Sequence, residues 1–353
     1  MKGSAEAKLD SPEKRHAQAA ELAQAGRKAE TQGALGDSLE KLTAALAYLP
    51  ESEPSSLRAD ILRWLGTTHR ELGQTGHAAA RYKQSMNIAQ EIGYVGGEAH
   101  ALNCLAIIAQ RRGDMEEAQS LYRKAGRQAA HGGDHRLEGM VEQNLGVLAN
   151  IQGDLDSALV RYRASLRAFE EGHFEAGMSW VLNNLGMLHT DLGKFAEAER
   201  HFLRGLEIAI RGNDLHTRAL LESNLAEVYI GLEEWDRAED YVQRALTIAE
   251  ERGDPLRRAG ALKFLGIIQR AKGHLALAEL SLTTASALAE ESEDVLLAAE
   301  LARERGETQA LLGDIPEAKR LFEWAAELFR SINAGLDATE VERRLAQIEA
   351  ASP

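Results

Sequence analysis

Small and large apolar residues return along this chain at a spacing of 40, with no residue inserted or lost across eight units. A small residue stands at Gly26, Gly66, Ala106, Gly146, Gly186, Ala226, Gly266 and Gly306, and leucine precedes it at Leu65, Leu105, Leu145, Leu185, Leu225 and Leu265. Twelve residues on comes a second small residue, from Ser38 and Ala78 to Ala318. Four beyond that sits a larger apolar group, among them Tyr82, Tyr122, Tyr162, Phe202 and Phe322, and three further a third small one, from Ala45 to Ala325. A fixed period of this length marks a solenoid of repeated supersecondary units. Within each unit the spacing predicts two antiparallel helices, because small residues let the axes approach while the aromatic or leucine fills the space beside them. Gly73, Gly113, Gly153, Gly193, Gly273 and Gly313 supply the left-handed residue that ends the first helix. Asp114-Met-Glu-Glu117 and Asp314-Ile-Pro-Glu317 read as capping boxes that open the second. No period-two strand pattern competes.

The small-residue and aromatic pattern resembles the tetratricopeptide repeat, over essentially the whole chain. The long period, together with Gln143-Asn144-Leu145-Gly146, Asn183-Asn184-Leu185-Gly186 and Ser223-Asn224-Leu225-Ala226, is similar to the Leu-Gly-Asn subclass of cell-polarity adaptors. Kinesin light chains and bacterial peptide-sensing regulators use similar long repeats. The resemblance implies an all-α, right-handed superhelical solenoid of antiparallel helix pairs, about eight repeats plus a C-terminal capping helix. On this reading residues 1–12 are a disordered start, 13–334 the array of eight helix pairs, and 335–353 the capping helix and tail. In that cap Leu345-Ala346 fall in register while Glu342, Arg343, Arg344 and Glu349 supply charge, as a solenoid needs on its last face. Two departures bear on packing. The loop Leu49-Pro50-Glu51-Ser52-Glu53-Pro54 breaks helix after repeat one and is expected to loosen its docking. Arg305 replaces the usual leucine of repeat eight.

Charge and composition narrow the function. A net charge of −14, from 41 basic and 55 acidic residues, sets the chain against a phosphate backbone, and no basic stripe is found. Nucleic acid is therefore not an expected partner, and basic protein segments are the more compatible ones. The lone Cys104 excludes an intramolecular disulfide and points to a reducing compartment. No stretch has the apolar length of a membrane span, so the expectation is a cytoplasmic chain without membrane insertion. There is no phosphate loop, no paired zinc-type cysteines and no His-Glu-x-x-His. His131-Gly-Gly-Asp134-His135 has ligand-type side chains, but the register puts it on an exposed turn between repeats, and Ser11-Pro-Glu-Lys14 falls in the loose start. The expectation is accordingly a non-enzymatic protein with no cofactor and no metal site.

One face of the first helices is what the charge pattern singles out. Second helices carry charge on their outer side, as at Glu116, Glu117 and Arg123 or Glu197, Glu199 and Arg204. The outward face of the central first helices does not. Repeat four presents Met140, Gln143, Asn144, Val147, Asn150 and Ile151, and repeat five Trp180, Asn183, Asn184, Met187 and Thr190. Asn103, Cys104, Ile107 and Gln110 continue this strip on one side, and Leu220, Ser223 and Asn224 on the other. In a chain that is 27% charged, uncharged neighbouring faces mark an interaction surface. The resemblance puts first helices on the concave wall, which makes Asn103, Ile107, Met140, Gln143, Asn144, Val147, Trp180, Asn183, Asn184, Met187 and Asn224 the floor of a peptide-binding groove. The column Asn144, Asn184 and Asn224 fits two roles: reading a peptide backbone, as the resemblance implies, or bridging neighbouring helices. Met and Trp would form pockets for ligand side chains. At the groove ends Arg63 and Arg70 beside Trp64, and Lys263 and Arg270 beside Phe264, are candidate partners for a carboxylate. The function expected is a scaffold or adaptor holding a peptide or disordered segment of a protein partner; the alternative is the peptide-sensing module of a bacterial signalling or transcription system.

Overall fold

A computed structural model describes residues 11–332 and 334–351. The disordered start expected for residues 1–12 lies outside these, except for Ser11 and Pro12, which belong to a helix terminus. Ser11 accepts from the Lys14 backbone N–H at 3.3 Å, and Pro12 takes the first helical position, where its fixed φ is preorganised and its missing N–H costs nothing. Ser11-Pro-Glu-Lys14 is thus a helix cap.

The chain divides into two compact units, residues 1–177 and 178–353. The first holds four helix pairs: α1 (Pro12–Thr31) with α2 (Leu35–Ala47), α3 (Ser56–Glu71) with α4 (Thr75–Glu91), α5 (Val95–Arg111) with α6 (Met115–Gly132), and α7 (His135–Ile151) with α8 (Leu155–Glu171). The division falls within α9 (Glu175–Asp191), which pairs with α10 (Phe195–Arg211). The second unit continues with α11 (Leu215–Gly231) and α12 (Trp235–Arg252), α13 (Pro255–Ala271) and α14 (Leu275–Glu291), α15 (Val295–Leu312) and α16 (Ile315–Ser331), and α17 (Gly335–Ala351). Among the described residues there is no strand. The chain is an all-α solenoid.

The repeat's small markers follow from contact within each pair. A Cβ on Gly66 would lie 2.5 Å from the Tyr82 ring, and one on Gly146 would lie 2.6 Å from Tyr162, so the ring occupies the volume the side chain would need. Tyr82, Tyr122, Phe202 and Phe322 are completely or almost completely buried. The turns are equally regular. A left-handed residue recurs every 20 positions from Gly73 to Gly313, and the next residue donates back five positions, as from Asp114 N to the Ala109 carbonyl at 3.0 Å. That closes the helix end in a Schellman arrangement. At four of these positions the residue is not glycine: His173, Asn213, Glu233 and Glu293.

Several expectations are corrected in detail. Asp314 caps α16 by accepting from Glu317 N at 3.1 Å, but the Glu317 carboxylate turns to Arg320, and Asp114 makes no side-chain cap. Neither is a full capping box. The loop after α2 is tied at one point, where buried Arg58 donates to the Leu49 carbonyl and faces Glu51 at 3.5 Å, while α2 packs less extensively on α3 than α4 does on α5 or α6 on α7. Arg305 keeps its place in the packing through an ion pair, with Nε and Nη2 donating to Glu279 Oε1 of α14 at 3.0 and 2.8 Å. Finally, α17 buries Ala338, Val341 and Ile348 in one cluster with Ala325, Ala326 and Phe329 of α16. Its Ala346 is exposed, with no helix among the described residues packed on it.

Candidate functional site

Within each unit successive first helices touch one another: α1 with α3, α3 with α5 and α5 with α7 in the first, α11 with α13 and α13 with α15 in the second. Their outward side chains therefore form continuous faces, and the candidate strip lies on them.

On the first unit the strip is less open than the charge pattern suggested. Asn103 is buried, 2% exposed, and its Oδ1 accepts from Asn144 Nδ2 at 3.1 Å across the repeat boundary. Ile107, Met140, Gln143, Asn144 and Val147 are half-buried. The cations expected to await a ligand are already paired. Arg63 donates to Asp60 at 2.9 Å and lies over the Trp64 ring, which Arg27 also approaches. Arg70 donates to Glu71 at 2.6 Å. Burial pushes the Cys104 thiol up, which suits a packing residue and not a nucleophile. In the His-Gly-Gly-Asp-His segment, Asp134 caps Leu137 N at 2.9 Å and faces His100 Nε2 at 3.3 Å, while His135 faces Glu138 and Glu171. Burial, with Arg63 adding to it, lowers the His100 pKa despite that aspartate. Among the described residues no three such side chains converge on a metal position.

The second unit presents the open part of the strip. On α9, Trp180 is 40% exposed and Met187 is 48% exposed, and Asn184 lies between them on the same face at spacings of four and three. Asn184 is half-buried, and its side-chain amide makes no hydrogen bond among the described residues. Its neighbours in the column do otherwise: Asn224 Nδ2 donates to Oδ1 of the buried Asn183 at 2.7 Å, and Asn183 Nδ2 meets Met187 Sδ at 3.3 Å. Asn144 and Asn224 therefore bridge helices. At the far end Lys263 donates to Glu300 at 2.6 Å, and Arg270 to the Glu304 carboxylate and carbonyl at 2.6 and 2.8 Å. These cations too are paired, by acids one repeat later on the same face.

Sequence reasoning missed the cavity that ends this strip. About 590 Å³ opens between the N-terminal halves of α11, α13 and α15, walled by Leu220, Phe264, Leu256, Leu296 and Leu297 and edged by Ser223, His216 and Arg257 and by the carboxylates of Asp254, Asp294 and Glu300. Its floor is Gly260, over whose Cα nothing lies within 4 Å of a would-be Cβ. A signal was present in the chain. The column at this position reads Asp60, His100, Met140, Trp180, Leu220, Gly260 and Glu300, so one repeat alone lacks a side chain.

Comparison with known proteins agrees with the geometry. The tetratricopeptide repeat family model matches residues 97–171, 177–251 and 215–291, and a second model of the same description matches 299–324. No curated protein matches in sequence. Among solved structures the chain is similar to BtubC (BKLC) from P. vanneervenii, at 26% identity and a TM-score of 0.56 over 62% of this chain and 92% of that one. It is also similar to the apo form of the quorum sensor NprR from B. thuringiensis (16% identity, TM-score 0.67, 88% and 87% covered). A Rap protein complexed with Competence and Sporulation Factor matches at 15% identity and a TM-score of 0.60, with 96% and 98% covered. From its repeats, its helix pairs and these matches, the chain belongs to the tetratricopeptide repeat family.

Proposed function

We propose that this chain is a non-enzymatic interaction module that captures a peptide or disordered segment of a protein partner along the outward face of its first helices. One observation carries the reading: on α9 an exposed tryptophan and an exposed methionine bracket Asn184, an amide with no hydrogen-bond partner among the described residues. An apolar surface with an uncommitted donor and acceptor suits a peptide, whose backbone offers both groups and whose side chains seek apolar pockets. The acidic total charge favours partners with basic segments. A second reading, that the peptide is a short signal and the chain its sensor, is favoured by likeness along nearly the full length to a quorum sensor and to a Rap protein complexed with Competence and Sporulation Factor.

The test uses Trp180→Ala and Asn184→Ala in the full chain, with binding of a partner peptide followed by calorimetry and folding by thermal melts. Affinity should fall about tenfold or more for the tryptophan, as at an interface hot spot, with the melting point little changed. Unchanged affinity in both variants would refute this placement of the site.

A further inference from the structure

The second helices carry charge on their outer side, with one exception. On α14 the outward, exposed positions are Ala276, Leu277, Leu280, Thr283, Thr284 and Ala287. None is charged, whereas each of the other seven second helices has at least one Asp, Glu, Lys or Arg at the equivalent positions. Where α14 places Leu280, four other repeats place Glu40, Arg200, Asp240 and Arg320. Leu277 is 52% exposed and Leu280 64%. The fold does not require them, because α14 already buries Ala278, Leu282, Ala285 and Ala289 completely on its opposite side. An exposed leucine pair in an uncharged strip, on a chain of net charge −14, marks a contact surface.

The charges beside the strip say what covers it. If two copies of α14 cross antiparallel about a two-fold axis between Ser281 and Leu282, the register sets Leu280 against Thr283 of the second copy and Ala276 against Ala287. The same operation acts on α16 and α12, one repeat later and earlier. It sets Arg320 against Glu323 of the second copy, and Arg244 against Glu239. Glu323 and Arg244 have no ion pair among the described residues; Arg320 is 62% exposed and holds only Glu317, and Arg244 lies 5.0 Å from the Tyr241 ring. Asp240 falls against Gln243, so no like charges meet at the centre. At the ends, Glu290 and Glu291 of one copy come to the first turn of α14 in the other, which has no acid and no side-chain cap from His274. The helix N-terminus favours them there. Asp236 and Glu239, which share Lys272 at 2.7 and 2.6 Å, oppose them, so the ends nearly balance and the centre decides.

We propose that the outer face of α14 is the contact between two copies of this chain, which meet through Leu277 and Leu280 with their α14 helices antiparallel and with α12 and α16 supplying the charged rim. A helix of 17 residues offers a strip about 25 Å long and 10 Å wide, well below the roughly 800 Å² per partner of a standard interface. The rim is therefore needed, and the dimer is a weak one. First helices take no part in it, so this contact and the peptide-binding reading stand or fall separately.

Sedimentation equilibrium of the full chain tests it. The average mass should climb from 38.6 kDa toward twice that value between about 1 and 100 µM. Leu280→Glu puts a charge from each copy into the apolar contact, so it should raise the dissociation constant about a hundredfold or more, and Leu277→Glu should act likewise. Both side chains are exposed, so helix content and melting point at low concentration should hold, which separates loss of the contact from loss of the fold. Glu323→Arg should weaken the dimer several-fold by facing Arg320, and adding Arg320→Glu should restore it. A chain that stays monomeric at about 100 µM would overturn the second copy as occupant and leave the face to a different protein. A dimer indifferent to both leucine substitutions would overturn the surface. A dimer that the paired charge exchange does not restore would overturn the antiparallel arrangement, and growth beyond two chains would overturn the closed two-fold contact.

Discussion

Three asparagines at equivalent repeat positions should respond to alanine in different ways, because the structure gives them different partners. Asn144→Ala removes the donor to Asn103 Oδ1, and Asn103 is 2% exposed, so water cannot replace it without opening the packing. Leaving a buried acceptor unsatisfied costs about 1–3 kcal/mol, while alanine returns roughly 0.5 kcal/mol of helix propensity. The net loss is about 0.5–2.5 kcal/mol. Asn224→Ala should behave alike, since it strips the donor from Asn183, which is 5% exposed. Asn184 has no such bond among the described residues, so its alanine variant should be neutral or gain up to about 0.5 kcal/mol. Chemical denaturation followed by circular dichroism measures all three, with each transition fitted separately if the units unfold apart. Adding Asn103→Ala to Asn144→Ala closes a double-mutant cycle, which should show coupling of about 1 kcal/mol for a contacting pair. Equal shifts in the three variants, or a loss at Asn184 as large as at Asn144, would refute the division into bridging and uncommitted amides.

Glu233 is held at φ 59°, so Glu233→Gly should stabilise by about 1 kcal/mol by removing the cost of a left-handed side chain; a lower melting point would contradict this. Arg305→Ala leaves the Glu279 carboxylate, 19% exposed, without its cation and should cost about 2–3 kcal/mol. Leucine at both positions should recover most of that loss, and simple additivity of the two single changes would refute the pairing. His100 and His216 both have lowered pKa values, with burial the main cause. The folded state therefore binds fewer protons than the unfolded one, so stability is full above about pH 6.5 and falls as the pH drops through the folded values. Melting points measured across this range should decline on the acid side, and less so in His100→Gln. An unchanged decline would remove His100 from the account.

The fold was legible because one pattern is repeated eight times and every copy meets the same contact. Gly66 with Tyr82 and Gly146 with Tyr162 show why the period carries small and large residues in fixed order. Other features escaped because they depend on neighbours one repeat away. Lys263 and Arg270 looked uncommitted on their own helix, yet Glu300 and Glu304 come from the next first helix, 37 and 34 residues on. Asn103 and Asn183 looked like groove floor, but each is overlain by the asparagine of the following repeat. Side-chain orientation is likewise invisible: Asp114 and Asp154 occupy the same repeat position with nearly the same backbone torsions, and of the two only Asp154 caps its helix, by accepting from Ser157 N at 3.0 Å.

These cases suggest where function is written in a repeat array. A contact that recurs in every copy is fixed by the requirement that each repeat bury its face against the next, and so it reports on stability. A ligand must use groups that this requirement leaves over. Among the described residues, Asn184 breaks the bridging found at Asn144 and Asn224, Gly260 breaks a column of side chains, and Arg257 stands without the carboxylate that Arg63, Arg70, Lys263 and Arg270 each possess. Local rules broken without structural gain are expected at functional sites. All three exceptions fall in the second unit, so substitutions that abolish ligand binding should concentrate there, while equivalent substitutions in the first unit should chiefly lower its stability.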